Sequence, residues 1–141
     1  MKNFFIVASL VLILLIGGVW WSKSLQSKDP DLLSRNGLHW HPELAIYVKE
    51  EKQALPTNIG ISPLGMTPIH THDDATLGIV HLEFSGLVHK EDVTLGQFFT
   101  NWGKDINSFG TNVKMTVNGV ENTELGNYVM QDKDKIELRY E

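Results

Sequence analysis

Residues 113–119 read VKMTVNG, and residues 128–140 read YVMQDKDKIELRY. Val113, Met115 and Val117 alternate with polar neighbours, the period-2 pattern of a half-buried strand. Asn118-Gly119 then supplies a hairpin turn signal. Ile136, Leu138 and Tyr140 alternate in the same way, and residues 128–130 are short and apolar. Upstream, Leu95, Phe98, Phe99 and Trp102 fall at helical spacing and make one apolar stripe. Thr94 followed by Gln97 predicts a capping box, and Gly103 or Gly110 is expected to stop the helix. Further upstream, residues 44–49, 69–72 and 78–84 read as strands, and residues 57–65, with Gly60, Pro63 and Gly65, read as a loop or an irregular edge. Strands, one helix, then strands predict an α+β domain built on a mainly antiparallel sheet.

The last third resembles the closing half of a β-grasp (ubiquitin-like) sheet. A β-sandwich with one helical excursion is the alternative architecture. At 141 residues the chain has room for one domain once its apolar leader is set aside.

That leader is residues 4–21, FFIVASLVLILLIGGVWW, without a charge. At 1.5 Å per residue it spans about 27 Å, close to the hydrocarbon thickness of a bilayer. A cleaved signal peptide would carry a shorter apolar run ending in small residues, whereas this one ends in Trp20-Trp21, where interfacial aromatics belong. Residues 1–21 are therefore expected to be an uncleaved transmembrane signal anchor, residues 22–36 a polar tether, and residues 37–141 the folded domain. Lys2 precedes the span while Lys23, Lys28 and Arg35 follow it, so the charge bias does not favour an outside C-terminus. The very short N-terminal tail and single span still point to export. The expectation is a single-pass cell-membrane protein with its C-terminal domain extracytoplasmic.

From Pro30 onward there are nine Lys and Arg against sixteen Asp and Glu, a balance of −7. No basic footprint is present, which argues against a nucleic-acid partner. The chain has no cysteine, so disulfides, thiolate metal sites and a cysteine nucleophile are excluded. Phosphate loops, dinucleotide glycine turns and a Gly-x-Ser-x-Gly elbow are absent too. Asp132 and Asp134 read as a turn; the glycine and distal glutamate of an EF-hand are missing.

Chemistry concentrates in the histidines, six in all. Four form two His-x-His pairs, His39/His41 and His70/His72. Residues two apart on a strand share a face, so each pair can converge on one ion. If residues 69–73 and 78–84 form an antiparallel hairpin through a loop at 74–77, His70 faces His81 and His72 faces Ile79. His70, His72, His81 and Glu83 then project from one side. Trp40, between two histidines, should point into the core, and His89 is expected at the surface. Imidazole and carboxylate suit Zn²⁺ or Cu²⁺ first, with Fe²⁺ or Mn²⁺ possible, while dispersed Met66, Met115 and Met130 offer Cu⁺ no thioether cluster. The expected metal ligands are His39, His41, His70, His72 and His81. Asp73 and Glu83 are expected just outside them, with Asp74 beside Asp73 also able to orient an imidazole.

The segments HWHPELAIYV, LPTNIGI, PIHTHDD, GIVHLEF, VTLGQFFTNWG and VKMTVNG resemble those of a group of small, largely uncharacterised, membrane-anchored microbial proteins. The resemblance covers most of residues 37–141. It implies an extracytoplasmic domain with a histidine cluster at His39, His41, His70, His72, Asp73, His81 and Glu83; it implies no reaction. Three functions fit the residues. The first is a membrane-anchored transition-metal-binding protein. The second is a metal-dependent hydrolase or lyase with Glu83 as general base. The third is a non-catalytic interaction domain whose histidines are structural.

Overall fold

The computed structural model describes residues 2–25 and 29–141. They form two compact units that divide after Pro30.

The first unit is one helix, α1 (Lys2–Leu25). Its stretch Phe4–Ser24 is long and apolar enough to cross a membrane, and none of it is buried within the protein. By length and composition it is either an anchor or a signal sequence.

The second unit contains the domain. Its strands are β1 (Leu32–Ser34), β2 (Leu38–Trp40), β3 (Glu43–Val48), β4 (Glu51–Gln53), β5 (Ile61–Ser62), β6 (Gly65–Met66), β7 (Ile69–His70) and β8 (His81–Phe84). After these come β9 (Val88–His89), helix α2 (Leu95–Asn101), then β10 (Val113–Val117), β11 (Val120–Asn122) and β12 (Lys135–Tyr140). The class is α+β, with mostly antiparallel sheets and one short helix.

The larger sheet has five strands in the order β11-β10-β12-β3-β4. β3–β4 and β10–β11 are hairpins, and β12 lies between them, antiparallel to β10 and parallel to β3. That order, with the last strand parallel to the first, is the β-grasp arrangement and not that of a sandwich. Alternation sets the faces: Leu44 and Ile46 of β3, Ile136, Leu138 and Tyr140 of β12 and Met115 of β10 are buried. Leu95, Phe98 and Phe99 of α2 join them in a single core. The Tyr140 hydroxyl donates to the Ile106 carbonyl at 2.5 Å, and burial pushes its pKa up to about 12.

Several expectations change in detail. The Thr94 hydroxyl does cap α2 by accepting from the Gln97 N–H, but the Gln97 side chain donates to Asn101 instead of reaching back, so only half of the capping box forms. The helix ends before Gly103, whose φ is +70°. Within residues 57–65, β5 forms a small hairpin with β6. Val129 makes a lone bridge to Thr94 and no strand. The expected tether is partly ordered: α1 continues to Leu25, and the apolar pair Leu32-Leu33 draws β1 into pairing with β9. Residues 26–28 of that stretch lie outside the described residues.

Candidate metal centre

A second sheet, of three strands in the order β2-β8-β7, carries the histidines. Its registers are Leu38↔Phe84, His39↔Glu83 and Trp40↔Leu82 on one side of β8, and Ile69↔Leu82 and His70↔His81 on the other. Directly paired residues share a face. Trp40, Leu82 and Ile69 therefore form one row, which packs into the core. His39, Glu83, His81 and His70 occupy the opposite face. The expected His70–His81 pair is present, but the expected His72–Ile79 pair is not. β7 ends at His70, residues Asp73–Leu77 wind into a 3-10 helix, and Ile79 bridges Glu43. Gly78, with φ +92°, closes that turn; a Cβ there would meet the Leu44 carbonyl at 2.7 Å.

The five histidines converge. Ring centroids are 4.7 Å apart for His39–His41, 4.8 Å for His41–His81, 4.7 Å for His70–His72, 4.9 Å for His72–His81 and 5.5 Å for His70–His81. Two triads result, His39/His41/His81 and His70/His72/His81, each with ligand atoms within 4.8 Å of one another. His81 belongs to both.

Hydrogen bonds fix which nitrogens point inward. His70 Nδ1 donates to the Thr67 carbonyl at 2.9 Å, so its Nε2 carries the lone pair. His81 Nε2 donates to the Asp74 carboxylate, at 3.1 Å from Oδ1 and 3.0 Å from Oδ2, so its Nδ1 carries the lone pair. Both lone-pair nitrogens, His70 Nε2 and His81 Nδ1, are buried without a hydrogen-bond partner among the described residues. Buried polar atoms are rarely left this way, and two imidazole lone pairs so placed could hold a metal ion. Burial also lowers the pKa of His70, which keeps that ring neutral and able to ligate at neutral pH.

The carboxylates divide their roles. Asp74 holds His81, while Asp73 is exposed in the first turn of the 3-10 helix, where its carbonyl accepts from Thr76. Glu83 Oε1 lies 3.2 Å from His39 Nε2 and 3.6 Å from His81 Nδ1. His89 belongs to neither triad; its side chain lies 3.7 Å from Asp92.

Three supports escaped the sequence reading. Asp132 accepts from the His41 backbone N–H at 2.9 Å. The turn that carries Asp132 is pinned by buried Asp134, which accepts from Tyr128, Asn118 and the Gln131 N–H. Thr67, which orients His70 through its carbonyl, is tied by its hydroxyl to Ile69 and by Asn101 to the end of α2. Only the residue types hinted at them: QDKDK reads as a turn, with nothing to say what the turn touches.

No family model matches this chain, and comparison with curated proteins and solved structures likewise gives no match.

Proposed function

We propose that the domain binds a transition-metal ion, with Zn²⁺ and Cu²⁺ the first candidates and Fe²⁺ a third, at the extracytoplasmic surface of a membrane in which α1 is retained as an uncleaved anchor. The observation that carries the metal reading is the pair of buried, unpartnered nitrogens, His70 Nε2 and His81 Nδ1. Structural histidines would be hydrogen-bonded on both sides. Here each has one nitrogen fixed by a protein acceptor and the other left facing a cluster of imidazoles. A ligand whose second nitrogen is held by a carbonyl or carboxylate is the usual arrangement around a bound metal. The donor set is imidazole and carboxylate, without thiolate, which suits borderline divalent ions.

Anchoring is supported by the length of the apolar run and by Trp20-Trp21 at its end. Held at the membrane, the domain would capture or hand over metal there.

The test is elemental analysis of the full chain, purified untagged in detergent, stripped with chelator and re-supplied with Zn²⁺ or Cu²⁺. Retention of metal after desalting, lost in His70→Ala and His81→Ala, is the expected result. A folded wild-type chain that retains neither ion would refute the reading. For the topology, activity of a cytoplasm-only reporter fused to the C-terminus would overturn the outward orientation.

A further inference from the structure

The site holds more donors than one ion can use. Zinc takes four ligands in a structural site and three protein ligands in a catalytic one. Five imidazoles converge here as two triads that meet at His81, with the Glu83 carboxylate 3.2 Å from His39 Nε2. His81 cannot complete both. Its Nε2 is committed to Asp74, so one lone pair, on Nδ1, remains for one ion. That nitrogen and His70 Nε2 are the two buried side-chain atoms without a hydrogen-bond partner among the described residues, and sharing one inner ion would satisfy both. His39 and His41 then lack a third ligand unless Glu83 supplies it.

Glu83 stands next to His39. Two ligands about 2.0–2.1 Å from a tetrahedral ion lie roughly 3.3–3.4 Å apart. Glu83 Oε1 is 3.2 Å from His39 Nε2, close to that edge length. The same oxygen is 3.6 Å from His81 Nδ1, where a carboxylate faces an imidazole lone pair, acceptor against acceptor. Positive charge between them resolves that contact. A carboxylate at the boundary also offsets the repulsion that two neighbouring dications would feel.

We propose that the cluster holds two divalent transition-metal ions side by side: an inner ion on His70, His72 and His81, and an outer ion on His39, His41 and the Glu83 carboxylate. This rests on the metal-binding reading above and goes beyond it in stoichiometry and ligand assignment. The inner ion has the buried His70 among its ligands. The outer one lies where His39 is exposed, so it is the ion that exchanges with solvent or with a partner.

The experiment is a Zn²⁺ titration of the untagged full chain in detergent, read as ions per chain after desalting, with a parallel Cu²⁺ titration followed by electron paramagnetic resonance. Two ions per chain are expected, the first bound more tightly. The His39→Ala/His41→Ala double variant should hold one. Glu83→Gln should weaken the second ion at least tenfold and leave the first unchanged. With two Cu²⁺ ions a half-field resonance from neighbouring spins should appear at the second equivalent. His39 is exposed and His41 is half-buried just past the end of β2, and circular dichroism checks that the double variant folds. Saturation at one ion overturns the two-ion proposal while leaving metal binding intact. So does a second ion that survives the double substitution, or one that gives no half-field signal. Failure to bind any ion overturns both readings.

Discussion

Asp74 does not touch the proposed metal position, yet it should control affinity there. It accepts from His81 Nε2 with both oxygens, at 3.1 and 3.0 Å, which fixes the ring so that Nδ1 faces inward. Removing such an outer partner costs about 10–100-fold in metal affinity. Asp74→Asn keeps one acceptor oxygen, replaces the other with an amide donor and loses the charge. Because the Asp74 side chain is 38% exposed, solvent already screens part of that charge. The loss should therefore be about tenfold, or about 1.4 kcal/mol. Asp74→Ala removes the acceptor as well and leaves His81 free to turn or change tautomer. Its loss should approach about a hundredfold. Competition against a chromogenic zinc chelator, at fixed pH and ionic strength, measures both. If both variants stay within twofold of wild type, His81 is not oriented for metal by Asp74 and the tautomer argument fails.

Other perturbations separate the site from the scaffold. The pKa of His70 is lower in the folded domain than in the unfolded chain, so its contribution to stability is present above about pH 6.5 and is lost as pH falls through the folded value. Urea unfolding of the metal-free protein should show falling stability from pH 7.5 to pH 5, and His70→Asn should flatten that decline; an identical slope in the variant would refute the assignment. Gly60→Ala forces a non-glycine residue to φ +72° and places its Cβ 2.3 Å from Thr67 Oγ1 and 3.3 Å from the His70 Cβ. It should lower stability by about 1–3 kcal/mol in thermal unfolding and weaken metal binding with it. Leu82→Ala, beneath the histidine face, should cost about 2–5 kcal/mol in denaturant unfolding but leave metal bound per folded chain unchanged. A change in stoichiometry there would mean that the histidine face does not stand independently of the core row beneath it.

Much of the site can be read from local spacing. Counting back from a four-residue connection pairs His70 with His81, and that pair forms. The connection is a 3-10 helix closed by left-handed Gly78, not an open loop, but it brings the chain back in the same register. What local patterns do not encode is which distant strand lies alongside. His39 reaches the cluster because β2 pairs with β8, and nothing in HWHP specifies that neighbour. Likewise Asp132 meets the His41 backbone from a turn near the other end of the chain. Of Asp73 and Asp74, adjacent in sequence, the sense of the 3-10 turn decides which meets His81, and that turn is set by packing. The parallel pairing of β12 with β3 is a further long-range choice, since alternation shows the buried face of a strand but not its direction relative to its neighbours.

The central position of β12 governs the order in which the domain can assemble. Every candidate ligand lies between His39 and Glu83, so all of them are synthesised well before Lys135–Tyr140. Until those six residues arrive, β3–β4 and β10–β11 have no shared neighbour, and Leu44, Ile46 and Met115 lack the strand that lies between them. Contacts so far apart along the chain form late and slowly. A nascent chain would therefore expose its imidazoles on an unfinished scaffold, and a product clipped before β12 would retain all of its histidines but lack the strand that joins the two hairpins.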